Sequence, residues 1–332
     1  MRKNEIKQPI ETIYFGGGTP SLLSIKELNL LLKTIYDNYT VIDKPEITLE
    51  ANPDDLTKEK IIQLSKTKIN RLSIGVQSFF DDDLQFMNRA HNAKEALKSL
   101  KIATKYFNNI TIDLIYGIPN LSNKKWRENL KIAFDLGINH ISSYALTVEE
   151  KTALYQFIKT GKVKPLDEEL ALKQYHLLLE ETKNQGFINY ETSNFGKEGF
   201  FSKHNSSYWL GKPYLGMGPS AHSFNGKTRS WNIKNNIQYI NALAEDVLPQ
   251  EMETLTKKDL YNETIMIGLR TIWGISIDDI EKQFGKSKTT YLLKNIQKHL
   301  DNKTLKLENN IITTTTKGKF LIDGIASDLF LV

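Results

Sequence analysis

Thr12-Ile-Tyr-Phe-Gly-Gly-Gly-Thr-Pro20 joins a short β-branched and aromatic run to a glycine triplet, and the chain repeats that kind of join. Glu46-Ile-Thr-Leu49 runs into Glu50-Ala-Asn-Pro53, and Arg71-Leu-Ser-Ile-Gly-Val76 into Gln77-Ser78. Ile110-Thr-Ile-Asp-Leu-Ile115 runs into Tyr116-Gly-Ile-Pro119, and His140-Ile-Ser-Ser-Tyr-Ala-Leu146 into Thr147-Val-Glu149. Segments of helical periodicity lie between them, at 24–39, 57–66, 94–106 and 124–136. Strand–helix alternation predicts an α/β fold with a parallel sheet and crossover helices. Sites in such folds form at the carboxyl ends of the strands, where these polar and glycine-rich residues fall. That placement favours a barrel-like enzyme scaffold.

The rest of the chain is less regular. A helix is expected at 168–185, then an aromatic, glycine-rich stretch over 187–231 of the kind that covers a site or forms a binding surface. A further unit is expected from about residue 254. It has helices at 257–269, 276–284 and 287–301, then a hairpin around Asn309-Asn310, which together suggest a small winged-helix-like module. Its recognition-helix candidate carries Lys288, Lys294 and Lys298 but no arginine, which favours phosphate contact at most and argues against nucleic acid as a partner.

Composition narrows the function classes. The chain has 332 residues, 40% hydrophobic and 25% charged, with a net charge of +5. This suits a globular protein of two or three units and demands no polyanionic partner. There is no cysteine, so no disulfide, thiolate nucleophile or thiolate-held metal centre is built from this chain. No apolar run is long enough to span a membrane, and the cytoplasm is the expected location.

Glu50, Gln77, Arg89 and Asp113 gain weight as a set. Three sit at or near strand ends, and Arg89 follows in Phe86-Met-Asn-Arg-Ala-His91. Arginine suits a carboxylate, and acids suit an ammonium or hydroxyls, so the set fits a zwitterionic ligand bearing ribose. Asp113 interrupts an apolar run, so its carboxylate must be paired or line a cavity. The glycines at 16–18 allow close backbone approach to an anion, and Pro20 is expected to open the next helix.

The order and spacing of Tyr14-Phe-Gly-Gly-Gly-Thr-Pro-Ser-Leu-Leu23, Glu50-Ala-Asn-Pro53, Arg71-Leu-Ser-Ile-Gly-Val-Gln-Ser-Phe79, Asn88-Arg-Ala-His91, Asp113-Leu-Ile-Tyr-Gly-Ile-Pro119 and Ser143-Tyr-Ala-Leu146 resemble the strand-end motifs of the HemN/HemW radical S-adenosylmethionine (SAM) family. The resemblance runs from about residue 10 to the C-terminus. It implies a partial (β/α) radical SAM barrel over 1–150, a haem or substrate region over 151–253 and a winged-helix-like C-terminal domain over 254–332. By the same resemblance Gly17, Gly18 and Thr19 contact the methionyl part of SAM, and Glu50, Gln77, Arg89, Asp113 and Ala145 line the SAM site.

A second set, Lys203-His-Asn-Ser-Ser-Tyr-Trp209 and Tyr214-Leu-Gly-Met-Gly-Pro-Ser-Ala-His-Ser223 with Arg229 and Asn232, is similar to the haem-chaperone branch of that family. It implies a protein that binds haem and passes it to haem-accepting proteins. His204 is the candidate iron ligand, with Tyr208 and Trp209 packing on the macrocycle. His222 reads as a structural partner within a glycine-rich turn. The rival expectation is an oxygen-independent coproporphyrinogen III oxidase.

The family's four-iron four-sulfur cluster needs three cysteines in a CxxxCxxC segment after its first barrel strand, and this chain has neither that strand nor the cysteines. Met1–Ile6 would match the end of the family's first helix. We expect a start upstream of Met1 rather than a gene that lost the cluster. As written, the chain is not expected to cleave SAM reductively.

Overall fold

The computed structural model describes residues 8–332. Met1–Ile6, matched above to the end of a helix, lie outside the described residues. The chain forms two compact units, with Ile10–Ser202 making up one and Lys203–Val332 the bulk of the other.

The first unit alternates β1 (Ile10–Phe15), α1 (Ile25–Asn38), β2 (Val41–Ala51), α2 (Lys58–Leu64), β3 (Arg71–Gln77), α3 (Asp81–Phe86), α4 (Ala93–Tyr106), β4 (Ile110–Tyr116), α5 (Asn123–Asp135) and β5 (His140–Ala145). It continues through α6 (Ala153–Lys159), α7 (Glu168–Asn184), β6 (Ile188–Glu191) and β7 (Asn194–Gly196). Strands β1 to β5 lie side by side in chain order and are parallel, the order of a barrel wall. Strand β7 then pairs antiparallel with β5, and β6 closes the edge. Helix α7 and strands β6 and β7 belong to this unit, and β7 hydrogen-bonds directly onto β5.

Period-two alternation gives the sheet two unlike faces. Ile47, Leu49, Leu72, Ile74, Val76, Ile112 and Leu114 point to one side, where helix residues such as Leu28, Ile61, Leu100 and Leu130 bury them. The opposite face is polar and also buried, with Glu46, Thr48, Arg71, Ser73, Thr111, His140 and Ser142 in adjacent register positions. Buried polar groups need partners, and here they form a chain. Arg71 donates to Thr111, whose hydroxyl lies 3.0 Å from His140 Nδ1, and His140 Nε2 lies 2.8 Å from the Tyr190 hydroxyl. Burial, and then the nearby Arg71, hold His140 well below the ordinary imidazole range.

Local signals fix the helix starts. Ser24 and Glu27 form a reciprocal capping box on α1, as do Asn92 and Glu95 on α4, each contributing about 1 kcal/mol. Pro20 opens a short 3-10 turn, Pro20–Leu22, rather than the helix, because Ser24 supplies the cap three residues after the turn's first residue pair.

The second unit holds α8 (Lys203–Trp209), β8 (His222–Phe224), β9 (Thr228–Asn232), α9 (Asn236–Ala244) and β10 (Gln250–Thr254). Strands β8, β9 and β10 form an antiparallel sheet with β9 in the centre. Next come α10 (Lys257–Leu269), β11 (Ile275–Ser276), α11 (Ile277–Phe284), α12 (Lys286–Asp301), β12 (Leu305–Glu308), β13 (Ile311–Thr314) and α13 (Ile322–Leu329). These last elements share a core of Tyr261, Ile265, Leu269, Leu292, Ile296, Ile312 and Leu329. The β12–β13 hairpin turns at Asn309 and Asn310, both at positive φ, as the two-residue turn requires.

Candidate functional site

The carboxyl ends of β1 to β4 enclose a cavity of about 120 Å³. Its walls include Gly18, Thr19, Glu50, Gln77, Arg89 and Asp113, which brings together most of the residues singled out in the sequence. Gly17 adjoins it and donates its N–H to Glu50 Oε2 at 3.2 Å. Gly17 and Gly18 adopt φ of +73° and +60°, a left-handed pair that side-chain-bearing residues rarely hold. The cavity does not include Ala145, which ends β5 in register with Tyr116.

Hydrogen bonds hold Glu50 and Arg89. The Tyr14 hydroxyl donates to Glu50 Oε1 at 2.6 Å, and burial, together with that carboxylate, pushes the phenol above its ordinary range. Arg89 Nη2 donates to Asn52 Oδ1 at 3.1 Å and Gly75 O at 3.4 Å. The Asn52 N–H reaches Ser21 Oγ, which in turn donates to Asp55 Oδ2 at 2.6 Å. Asp113 differs, because no hydrogen bond among the described residues engages its carboxyl. Burial first, and then the charge of Glu50, push it up to about 7, while Arg71 and Arg89 pull the other way. Among the described residues the cavity thus presents one guanidinium, two carboxyl groups, two side-chain amides and glycine backbone, a set of partners for a small zwitterion.

Six wall residues were not read as site residues in the sequence: Pro20, Ser21, Ala51, Asn52, Ser73 and Gly75. Asn52 lies inside a run that was quoted for Glu50 alone. Ser73 and Gly75 share a strand face with Arg71 and Gln77, so period two alone would have found them. A Cβ at Gly75 would lie 3.0 Å from Gln77 Nε2 and 3.3 Å from Arg89 Nη2, so glycine lets both side chains close in.

The second set of residues lies in the second unit. His204 and Tyr208 are one turn apart on α8, with their rings edge-on at 5.0 Å. Tyr208 meets Tyr214 edge-on at 4.6 Å, and Tyr214 packs beside Phe224. Trp209 is half-buried at the end of the helix. Exposed apolar side chains follow at Leu210 and Met217. The glycine-rich loop after Tyr214 is fixed: Gly216 N–H donates to Ser223 Oγ at 3.0 Å, and Asn232 Nδ2 to Gly218 O at 2.7 Å. His222, expected as a structural partner, is instead exposed on β8, with its ring 6.2 Å from that of Trp231. Arg229 pairs with Glu263 at 2.8 Å.

Neither set fits an iron–sulfur cluster. The chain contains no cysteine, and among the described residues no group of three or more His, Asp or Glu is placed to hold a metal. Among the described residues no helix is long and apolar enough to cross a membrane.

Known proteins resemble the chain along most of its length. The family profile of the radical SAM superfamily matches residues 1–133, and that of the HemN C-terminal domain matches residues 255–321. The heme chaperone HemW of Bacillus subtilis is 35% identical over 285 residues, covering 84% of this chain and 74% of that protein. The heme chaperone HemW of Lactococcus lactis is 32% identical over 328 residues, covering 96% and 86%. Among solved structures, the radical SAM enzyme coproporphyrinogen III oxidase HemN from Escherichia coli superposes with a TM-score of 0.81, covering 97% of this chain and 78% of that one. At 22% identity, that likeness shows a shared fold.

Proposed function

The chain belongs to the HemW family of radical SAM proteins, and on that footing we propose that it binds haem and passes it to acceptor proteins in the cytoplasm. The observation that carries this reading is the arrangement on α8, where an imidazole and a phenol ring stand one turn apart beside exposed apolar surface. His204 is the iron ligand in this reading, since a neutral imidazole nitrogen is a common haem ligand. Tyr208 and Trp209 pack against the macrocycle, whose flat apolar faces suit aromatic rings. Within the second unit, 254–332 is read as the C-terminal domain, a reading supported by its own core and by the match of residues 255–321 to the HemN C-terminal profile.

The strand-end cavity is assigned to SAM. Arg89 suits the methionyl carboxylate, Glu50 and Asp113 suit the ammonium or ribose hydroxyls, and Gly17, Gly18 and Thr19 offer backbone to the methionyl group. Ala145, outside the cavity wall, is retained as a more distant contact of SAM. The cluster is not assigned to this chain, and no reductive step is derived. No specific observation favours the oxidase, because the likeness to HemN extends to the fold alone.

Haem titration tests the central claim. Added haem should give a Soret band that shifts or weakens in His204→Ala. A spectrum unchanged by that substitution would remove His204 as the ligand.

A further inference from the structure

Strand β3 ends in an unusual way. Gln77, its last residue, sits at φ +65°, and the Ser78 N–H closes back onto Val76 O at 2.8 Å. That is a three-residue γ-turn with a side-chain-bearing residue at positive φ, a rare and strained conformation. The register between β3 and β4 shifts between Ile74 and Gln77, which pairs with Leu114, so the turn sits at an irregularity of the ladder. Pairing with β4 is not its whole support, because a strained turn persists only where its surroundings over-determine it.

Two side chains from the segment after α3 do so. Arg89 Nη2 donates to Gly75 O. His91 Nε2 lies 3.0 Å from Val76 O, and since a carbonyl only accepts, Nε2 must carry the proton. Val76 O therefore takes two hydrogen bonds, one from inside the turn and one from His91. The other ring nitrogen, Nδ1, lies 3.9 Å from Asp54 Oδ1, in the turn that follows Asn52 at the end of β2. The ring is buried to 3% exposure and so spans the gap between the β2 and β3 ends. Both ends line the cavity, through Asn52 on one side and Gly75 and Gln77 on the other.

We propose that His91 is a positioning residue for the strand-end cavity, clamping the γ-turn that aims Gln77 at the ligand and holding it at a fixed distance from Asn52 and Arg89. The proposal rests on the assignment of that cavity to SAM. His91 does not line the cavity and acts through Gln77 and Arg89. Loss of the ring removes one of the two hydrogen bonds to Val76 O and lets Gln77 relax to negative φ, which turns its amide away from the site. A glutamine at position 91 keeps an N–H donor of similar reach and should restore the clamp.

The test is calorimetric titration of the full chain with SAM, accompanied by thermal melts. Wild-type protein should bind, His91→Ala should bind about 10- to 100-fold more weakly, and His91→Gln should recover to within about threefold, the scale on which supporting partners act. Equal affinity in wild type and His91→Ala would overturn the proposal while leaving the SAM assignment intact. So would a glutamine variant that regains thermal stability without regaining affinity, since that marks a purely structural role. No binding by wild-type protein would overturn the SAM assignment itself, and this proposal with it. If His91→Ala does not fold, wild-type protein labelled at histidine nitrogen decides. SAM should slow exchange of the His91 Nε2 proton, and exchange unchanged at saturating SAM would refute the clamp.

Discussion

Burial and the charge of Glu50 hold the carboxyl of Asp113 well above its ordinary range. The folded protein holds its proton up to about pH 7, whereas the unfolded chain releases it near the ordinary value of 3.8. Folding therefore takes up a proton between those limits. Stability falls as pH rises through this window, and the full penalty is present above it. Asp113→Asn removes the charge that the cavity disfavours. It should raise stability above about pH 7 by on the order of 2 kcal/mol, and melting curves of variant and wild type should converge below about pH 4. Coincident melts at about pH 8 would refute this account. A cationic ligand group beside Asp113 favours its carboxylate, so SAM binding should release a proton. The proton count from calorimetry in buffers of different ionisation enthalpy checks that sign.

At the scale of elements, the β12–β13 hairpin was legible because Asn-Asn between two alternating runs specifies one turn. Both asparagines hold left-handed backbone, at φ +51° and +61°, which β-branched residues resist. Asn310→Val should therefore lower stability by about 1–2 kcal/mol, and Asn310→Gly should leave it within a few tenths of wild type. Equal melts for the valine variant would show that the turn is not held as described. The five strands and the long helices of the first unit were legible for a similar reason: each carries its own periodicity and cap. Strands β6 and β7 were not, since Ile188–Glu191 and Asn194–Gly196 are too short to show a period and are held by pairing with β5. The polar face of the sheet was readable in Glu46-Ile-Thr-Leu-Glu50 and Arg71-Leu-Ser-Ile-Gly75, where acids, hydroxyls and a guanidinium alternate with aliphatics, but of these two runs only Glu50 was singled out. The clamp at Gln77 has no signature in sequence, because backbone handedness at a strand end is set by tertiary hydrogen bonds.

The two proposed ligands draw on separate parts of the whole molecule. Every assigned SAM contact, from Gly17 to Ala145, falls within Ile10–Ser202, and every assigned haem contact, from His204 to Trp209, falls within Lys203–Val332. If those assignments hold, single substitutions should separate the two activities. Arg89→Ala removes the one guanidinium on the cavity wall and should weaken SAM binding by about 10-fold or more, since an arginine–carboxylate pair contributes roughly 1.5–3 kcal/mol. The same variant should keep the wild-type Soret band, because it alters nothing on α8. His204→Ala should do the reverse, changing the haem spectrum while leaving the SAM isotherm in place. The comparison also bears on the absent cysteines. A SAM isotherm from this chain would mean that the cavity's own side chains supply enough affinity without an iron–sulfur cluster. Loss of both ligands from either variant would contradict the assignment of each ligand to one unit and require that their sites share residues.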